Sequence, residues 1–270
     1  MMTTNEILIG TSGYDYPEWK GVFYPQDLKR KDFLQFYASQ FNALELNNTF
    51  YNMPTAERLL SFNDRSSGLL QFSIKANRLL THEINRSWQA AATDFINAIA
   101  PLSENGSLCS LLFQFPQSFH YTDENRIYLA KLIQEFQSFP LVIEFRHVEW
   151  IRESVLQGLE QRGASLCFCD MPQLKALPDG KTIKAPFIGP IAYIRLHGRN
   201  ADAWYSAVTD NSPNGSSRYT YNYSDEELSE FVPVIKAAVL SGKKPVVFFN
   251  NHPNGSGANN ARWLKELLEK

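Results

Sequence analysis

Apolar and polar positions along the chain fall into a repeating order. A short apolar or β-branched run comes first, then a polar or Gly/Pro turn, then a stretch with its apolar residues on one helical face. This order predicts strands over residues 7–11, 43–46, 70–75, 108–113, 141–145, 165–169, 191–196 and 245–249. Between them, Phe33, Phe36, Tyr37 and Phe41 recur at helical spacing, as do Phe95, Ile96, Ile99 and Leu102, and then Ile127, Leu129, Leu132, Ile133 and Phe136. Ser224-Asp225-Glu226-Glu227 reads as a capping box that opens a helix through Phe231 and Ile235 toward Leu240. A last helix is predicted over residues 261–268.

Strands that alternate with helices imply a parallel sheet, because parallel neighbours need a crossover connection. Eight strands in 270 residues is one unit per roughly 34 residues, the length of a strand, a helix and two loops. Eight such units close into a barrel at about 250 residues. The predicted fold is therefore α/β: a single TIM-type (β/α)8 barrel with parallel strands, spanning residues 1–270 as one domain. A doubly wound open sheet is the alternative, but the GxGxxG signature is missing after the first strand. The longest polar stretch, residues 198–223, follows the seventh strand and is expected to act as a lid.

Composition narrows the partners. At 44% hydrophobic the chain can build a large core, and no uninterrupted apolar run exceeds four residues. A membrane span needs about 20, so no membrane partner is expected. Lys plus Arg is 26 against 28 for Asp plus Glu, a net charge of −2, which disfavours nucleic acid as the main partner while allowing a local basic pocket. Cys109, Cys167 and Cys169 are few and odd in number, and residues 1–6 lack a secretory pattern, so a cytoplasmic protein is expected.

Chemistry in such barrels sits at the C-terminal ends of the strands, and polar residues gather there. Ser12, Gly13, Tyr14 and Tyr16 follow the first strand; Glu45, Asn47, Asn48, Thr49 and Tyr51 the second; Lys75, Asn77, Arg78 and His82 the third. Gln114, then Glu144, Arg146 and His147, then Asp170, then Arg195 and His197, then Asn250, Asn251 and His252 continue round the barrel. Glu45 and Asn47, Glu144 and Arg146, and Arg195 and His197 are i,i+2 pairs, so each pair points to one side of its strand. Buried charge must be paired, so these carboxylates and guanidiniums meet each other, a ligand or a metal. Glu144 with Arg146 reads equally as a structural ion pair, and Cys167 and Cys169 as small core residues.

The expected reading is an enzyme acting on a small anionic ligand, phosphorylated or carboxylated. Glu45, Glu144 and His197 are the candidate acid–base groups. Ser12, Tyr14, Asn47, Tyr51, Lys75, Gln114, Arg146, Asp170, Arg195 and Asn250 are the candidate binding residues, with Lys75, Arg146 and Arg195 clamping the anion. Glu45, Glu144, His147, Asp170 and His197 are ligand types suited to Mn, Mg or Zn. No HExxH, CxxC or clustered spacing is present, so no cofactor is predicted and a divalent metal is the weaker reading. A phosphodiester or nucleic-acid enzyme, with Tyr14, Tyr51 or Trp204 stacking on a base, and a non-catalytic binding barrel are the rivals. Aromatic residues, 13% of the chain, include Trp19, Tyr24, Trp88, Trp150 and Tyr205 in or near these loops.

The segments GTSGYDYPEWKGVFYP, ELNNTFYNMPT, FSIKANRLLTHE, LLFQFPQSF, IEFRHVEW, YIRLHGRN and VVFFNNHPNGSGANNA occur in this order. Together they resemble the domain of unknown function 72 family, the YecE-like proteins, over residues 7–268. The resemblance implies a TIM-type barrel and no particular activity. Positions matching the family's motifs are Gly10, Ser12, Gly13 and Trp19; Glu45, Asn47, Thr49, Phe50 and Tyr51; Lys75 and His82; Gln114 and Pro116; Glu144, Arg146, His147 and Trp150; Asp170; Arg195, His197 and Gly198; Asn250 and Asn251. Tyr14 stands where the family resemblance leads one to expect Trp, and His252-Pro253 departs from its usual continuation.

Overall fold

The computed structural model describes residues 7–178, 187–204 and 217–270. Nine strand segments form one parallel sheet: β1 (Leu8–Ser12), β2 (Ala43–Leu46), β3 (Gln71–Lys75), β4 (Leu108–Gln114), β5 (Leu141–Glu144), β6 (Ser165–Leu166), β7 (Phe168–Asp170), β8 (Ile191–Leu196) and β9 (Lys244–Phe249). β1 pairs with β2 on one side and with β9 on the other. From there the order runs through β5 to β6 in one direction and through β8 to β7 in the other. The two outermost segments, β6 and β7, are separated in the chain by Cys167 alone, so the sheet closes on itself as an eight-stranded barrel.

The strand expected over residues 165–169 is thus two halves with different neighbours. Through Cys167, whose N–H donates to the Ile143 carbonyl at 2.8 Å, the chain pairs with β5. From Phe168 onward it pairs with β8. Tilted barrel strands shift in register around the circumference, and here that shift is taken up within one short strand.

Side chains alternate along the strands as the period-two pattern requires. Leu8, Ala43, Leu112, Val142, Tyr193 and Val246 pack together inside the barrel, while Ile9, Leu44, Ile74, Ile143, Ile194 and Val247 belong to the larger core between sheet and helices. Inward positions are apolar toward the N-terminal ends and become polar toward the C-terminal ends. Gly10 makes room for an unusual wedge between β1 and β2. The Tyr37 hydroxyl accepts from the Thr11 N–H at 2.7 Å and donates to the Ala43 carbonyl at 2.9 Å, replacing a ladder bond. A Cβ on Gly10 would lie 1.9 Å from that carbonyl oxygen.

Helices Phe33–Gln40, Trp88–Glu104 and Asp123–Glu135 lie where periodicity places them. The capping box forms, with Ser224 accepting from the Glu227 N–H at 3.3 Å. The helix it opens divides into Asp225–Ser229 and Phe231–Leu240. Pro233 has no N–H to return to the Ser229 carbonyl, so the ladder breaks there. The last helix, Ser256–Glu269, begins earlier than its periodicity showed, behind Gly255 in the left-handed region at φ 72°. A further helix, Ala56–Arg65, is capped by Thr55. No helix among the described residues is long and apolar enough to cross a membrane. Residues 205–216, the middle of the stretch expected to be a lid and including Tyr205, lie outside the described residues.

Candidate functional site at the barrel mouth

Three inward positions from distant strands build the centre of the site. Glu45 on β2 and Glu144 on β5 are fully buried, and Arg195 on β8 is 2% exposed. Arg195 Nη2 donates to Glu45 Oε1 and Nη1 to Glu144 Oε2, each at 2.7 Å. Glu45 is completed by the Ser12 hydroxyl at 2.6 Å and the Tyr193 hydroxyl at 2.8 Å. Tyr193 stands two residues before Arg195, hence on the same face, and continues through Ser73 at 2.7 Å to Ser110. The charges are therefore buried, paired and hydrogen-bonded together, the arrangement in which burial of ions is tolerated.

The second carboxylate also meets Arg146, whose Nε donates to Glu144 Oε1. Burial alone would raise the Glu144 carboxyl, but Arg146 and Arg195 outweigh it and hold the group well below the usual carboxylate range. Arg146 is 12% exposed at its side chain, so it is the guanidinium of the pair that reaches the opening. Its Nη2 lies 3.0 Å from His197 Nε2. A guanidinium only donates, so Nε2 accepts and the ring proton sits on Nδ1. The Asn250 side-chain nitrogen Nδ2 lies 3.0 Å from Nδ1; turning that amide end for end brings its oxygen there to accept the proton. Burial, Arg146 and Arg195 together push His197 well below the ordinary imidazole range, which keeps it neutral.

Lys75 behaves differently. Its ammonium donates to Gln114 Oε1 at 2.9 Å and lies 4.4 Å from the centre of the Phe50 ring. Among the described residues it pairs with neither carboxylate of the mouth, both of which are occupied by arginines. Burial and the nearby Arg195 lower it to about 7. Over the opening lies an aromatic rim: Trp204 beneath Arg146, Tyr219 between His197 and His252, and Tyr16 stacked on His252 at 4.7 Å. Burial lowers His252 to about 4.

The structure brings Ser12, Glu45, Lys75, Gln114, Glu144, Arg146, Arg195, His197 and Asn250 into this one constellation. Tyr14 and Asn47 line an adjoining cleft outside the ends of β1 and β2. Tyr51 is 64% exposed beside Phe50. Asp170 sits apart, held by Arg199 at 3.0 Å and by the Tyr223 hydroxyl at 2.8 Å. Trp19 and Trp88 are packed into the core. Tyr193 and Tyr219 are mouth residues absent from the sequence candidates, and Phe50 stands there only as a position matching the family's motifs; for Tyr193 the signal is its i,i+2 relation to Arg195.

Among the described residues, two groups of donor atoms could be considered for a metal. Glu144, Cys169 and His197 bring theirs within 4.8 Å, but Arg146 and Arg195 already use the Glu144 oxygens and Arg146 uses His197 Nε2. That set does not fit a dication. His120, His147 and Glu149 form a separate group, joined by the 3.3 Å contact of His120 Nδ1 with Glu149 Oε2.

The family model described as "Protein of unknown function DUF72" matches residues 8–270. UPF0759 protein YunF of Bacillus subtilis is 27% identical over 97% of this chain and 95% of its own. UPF0759 protein YecE of Escherichia coli K12 is 24% identical over 66% of this chain and 64% of its own. The crystal structure of a DUF72 family protein from Thermotoga maritima superposes with a TM-score of 0.85 at 32% identity, covering 98% of this chain and 99% of that one.

Proposed function

This chain belongs to the DUF72 family, and on the geometry of its barrel mouth we propose that it is an enzyme acting on a small anionic ligand, phosphorylated or carboxylated, by general acid–base chemistry. The observation that carries this reading is the isolation of Lys75. Two carboxylates share its mouth, yet both are engaged by arginines, and its one hydrogen bond among the described residues goes to the neutral Gln114 oxygen. An ammonium has three donors, so two remain for a ligand.

With Lys75 protonated, three cationic side chains face two carboxylates, and one bound anion restores neutrality. An amine lowered to about 7 accepts a proton from substrate and returns it near neutral pH. Arg146 at the opening supplies the anion's counter-charge, and His197 with Asn250 positions Arg146. In this reading Glu45 and Glu144 are counter-ions that fix the arginines, a role different from the general base expected of them by sequence. Three buried, unpaired cysteines suit the reducing cytosol as its location.

The test is a thermal-shift screen against phosphorylated and carboxylated metabolites, with wild type, Lys75→Met and Arg146→Gln side by side. A ligand at 100 times its Kd adds about 2.7 kcal/mol of stability. A salt-tolerant stabilisation in wild type, clearly smaller in both variants, is the expected result. Silence across the panel, or equal shifts in all three proteins, overturns the proposal.

A further inference from the structure

Beside the mouth, and sharing Tyr16 with its rim, lies a cleft of about 710 Å³, within the size range of small-molecule sites. One wall is the helix Ala56–Arg65, whose Arg58, Ser61, Phe62 and Arg65 recur at three-, four- and seven-residue spacing and therefore share a face. The turn Arg30–Asp32 also lines it, supplying Arg30 and Lys31. Four cations thus line the cleft against a single carboxylate, Asp15, and that one is taken by Arg30 at 2.7 and 2.9 Å. Among the described residues no ion pair engages Lys31, Arg58 or Arg65.

The arrangement is directional. Arg58 and Arg65 are two helical turns apart, about 10 Å along the axis, with Phe62 between them. Arg65 lies 6.0 Å from the Phe62 ring centre, and that ring meets Tyr14 edge-on at 6.3 Å. At the base, Gly13 directly follows Ser12, the residue that hydrogen-bonds Glu45. The cleft and the ionic centre are therefore neighbours along β1 and β2, one with unbalanced positive charge and the other nearly neutral.

We infer that this cleft is a phosphate subsite, which holds the phosphoryl group of a phosphorylated sugar or polyol against Lys31, Arg58 and Arg65 while the carbon skeleton runs over Tyr16 toward Lys75. The inference rests on the reading of the mouth given above and narrows its ligand from any small anion to a phosphate ester. Arginine forks match a phosphoryl group in charge and geometry, and the aromatic faces and amides of Tyr14, Tyr16 and Asn47 suit a hydroxylated skeleton. Barrel phosphate sites more often follow the seventh and eighth strands; this one follows the first and second. A duplex would demand a broad basic face, whereas these cations converge on one concavity.

Titration calorimetry with inorganic phosphate, ribose 5-phosphate and ribose, on wild type, Arg58→Gln/Arg65→Gln and Lys75→Met, tests it. Both arginines are exposed on a surface helix, so the double variant is expected to fold, which its melting curve checks. Phosphate should bind wild type and Lys75→Met alike and weaken at least tenfold in the double variant, and ribose should bind at least tenfold more weakly than its phosphate. Phosphate binding unchanged in the double variant overturns the inference. So does binding lost only in Lys75→Met, which would seat the anion at the mouth and leave the enzyme reading standing. No phosphate binding at all also overturns it, and the carboxylate arm of the metabolite screen then decides the enzyme reading alone. A short oligothymidylate that binds more tightly than ribose 5-phosphate through the same arginines overturns it in favour of a polymer.

Discussion

Replacing Arg195 with Met is the sharpest test of how the barrel mouth is held together. The guanidinium is 2% exposed and joins Glu45 and Glu144, both fully buried, through two bonds of 2.7 Å. Methionine fills much of the stem's space but carries no charge. Glu144 keeps Arg146, while Glu45 is left with the hydroxyls of Ser12 and Tyr193 alone. Removing one partner of a buried pair costs about 3–5 kcal/mol, because the other charge stays buried. An exposed pair would cost under about 1 kcal/mol. At roughly 2–4 °C per kcal/mol for a protein near this size, the melting temperature should fall by about 6–20 °C. Urea unfolding of wild type, Arg195→Met, Glu45→Gln and the double variant closes a mutant cycle. The double variant should recover at least about 1 kcal/mol relative to the sum of the singles, since the stranded carboxylate has become a neutral amide. A loss under 1 kcal/mol for Arg195→Met, or strict additivity, would refute the idea that the cluster is electrostatically coupled.

Lys75 gives a pH signature. Its folded-state value of about 7 lies below the ordinary 10.5, so between those limits the unfolded chain binds more protons and stability rises with pH. Relative to Lys75→Met, wild type should gain up to about 1.4 kcal/mol per pH unit from pH 7 to 10 in urea titrations; parallel curves would contradict this. The buried cysteines, with Cys109 raised to about 11 and Cys167 raised well above its ordinary value by burial, should resist a thiol reagent at pH 8 and react only after denaturation. Fast labelling of the native protein would count against it. Gly10→Ala, whose Cβ would sit 1.9 Å from the Ala43 oxygen and 2.7 Å from the Tyr37 hydroxyl, should lower stability by about 1–3 kcal/mol in the same urea assay. A smaller loss would mean that β1 and β2 separate cheaply.

The barrel was legible because alternation and crossover spacing are properties of the chain itself. So was the face each polar residue takes: Glu45, Glu144 and Arg195 are inward because their i±2 neighbours are. What alternation does not contain is partnership. Arg195 meets Glu45 across 150 residues and Glu144 across 51, and no local pattern selects those contacts over Lys75, which carries the same charge and ends beside an amide. The split at Cys167 was hidden for a related reason: Leu166-Cys167-Phe168-Cys169 reads as one apolar strand, whereas the change of neighbour depends on barrel closure. The helix Ala56–Arg65 could have been found from the spacing of Leu59, Phe62 and their flanking arginines; its mean polarity masked it.

The same long-range pairing bears on how the protein is made. Glu45 and Glu144 leave the ribosome well before Arg195, and β1 waits for β9, which lies near the other end of the sequence, to complete its pairing. A nascent chain holding five strands would have Glu144 beside its own Arg146 but Glu45 with no cation, so burying that second carboxylate would cost free energy. The arrival of Arg195 supplies the cation that makes burial of Glu45 tolerable. Burial of the carboxylate on the second strand is thus tied to a residue on β8, and the sheet closes only with the strand that follows it, β9.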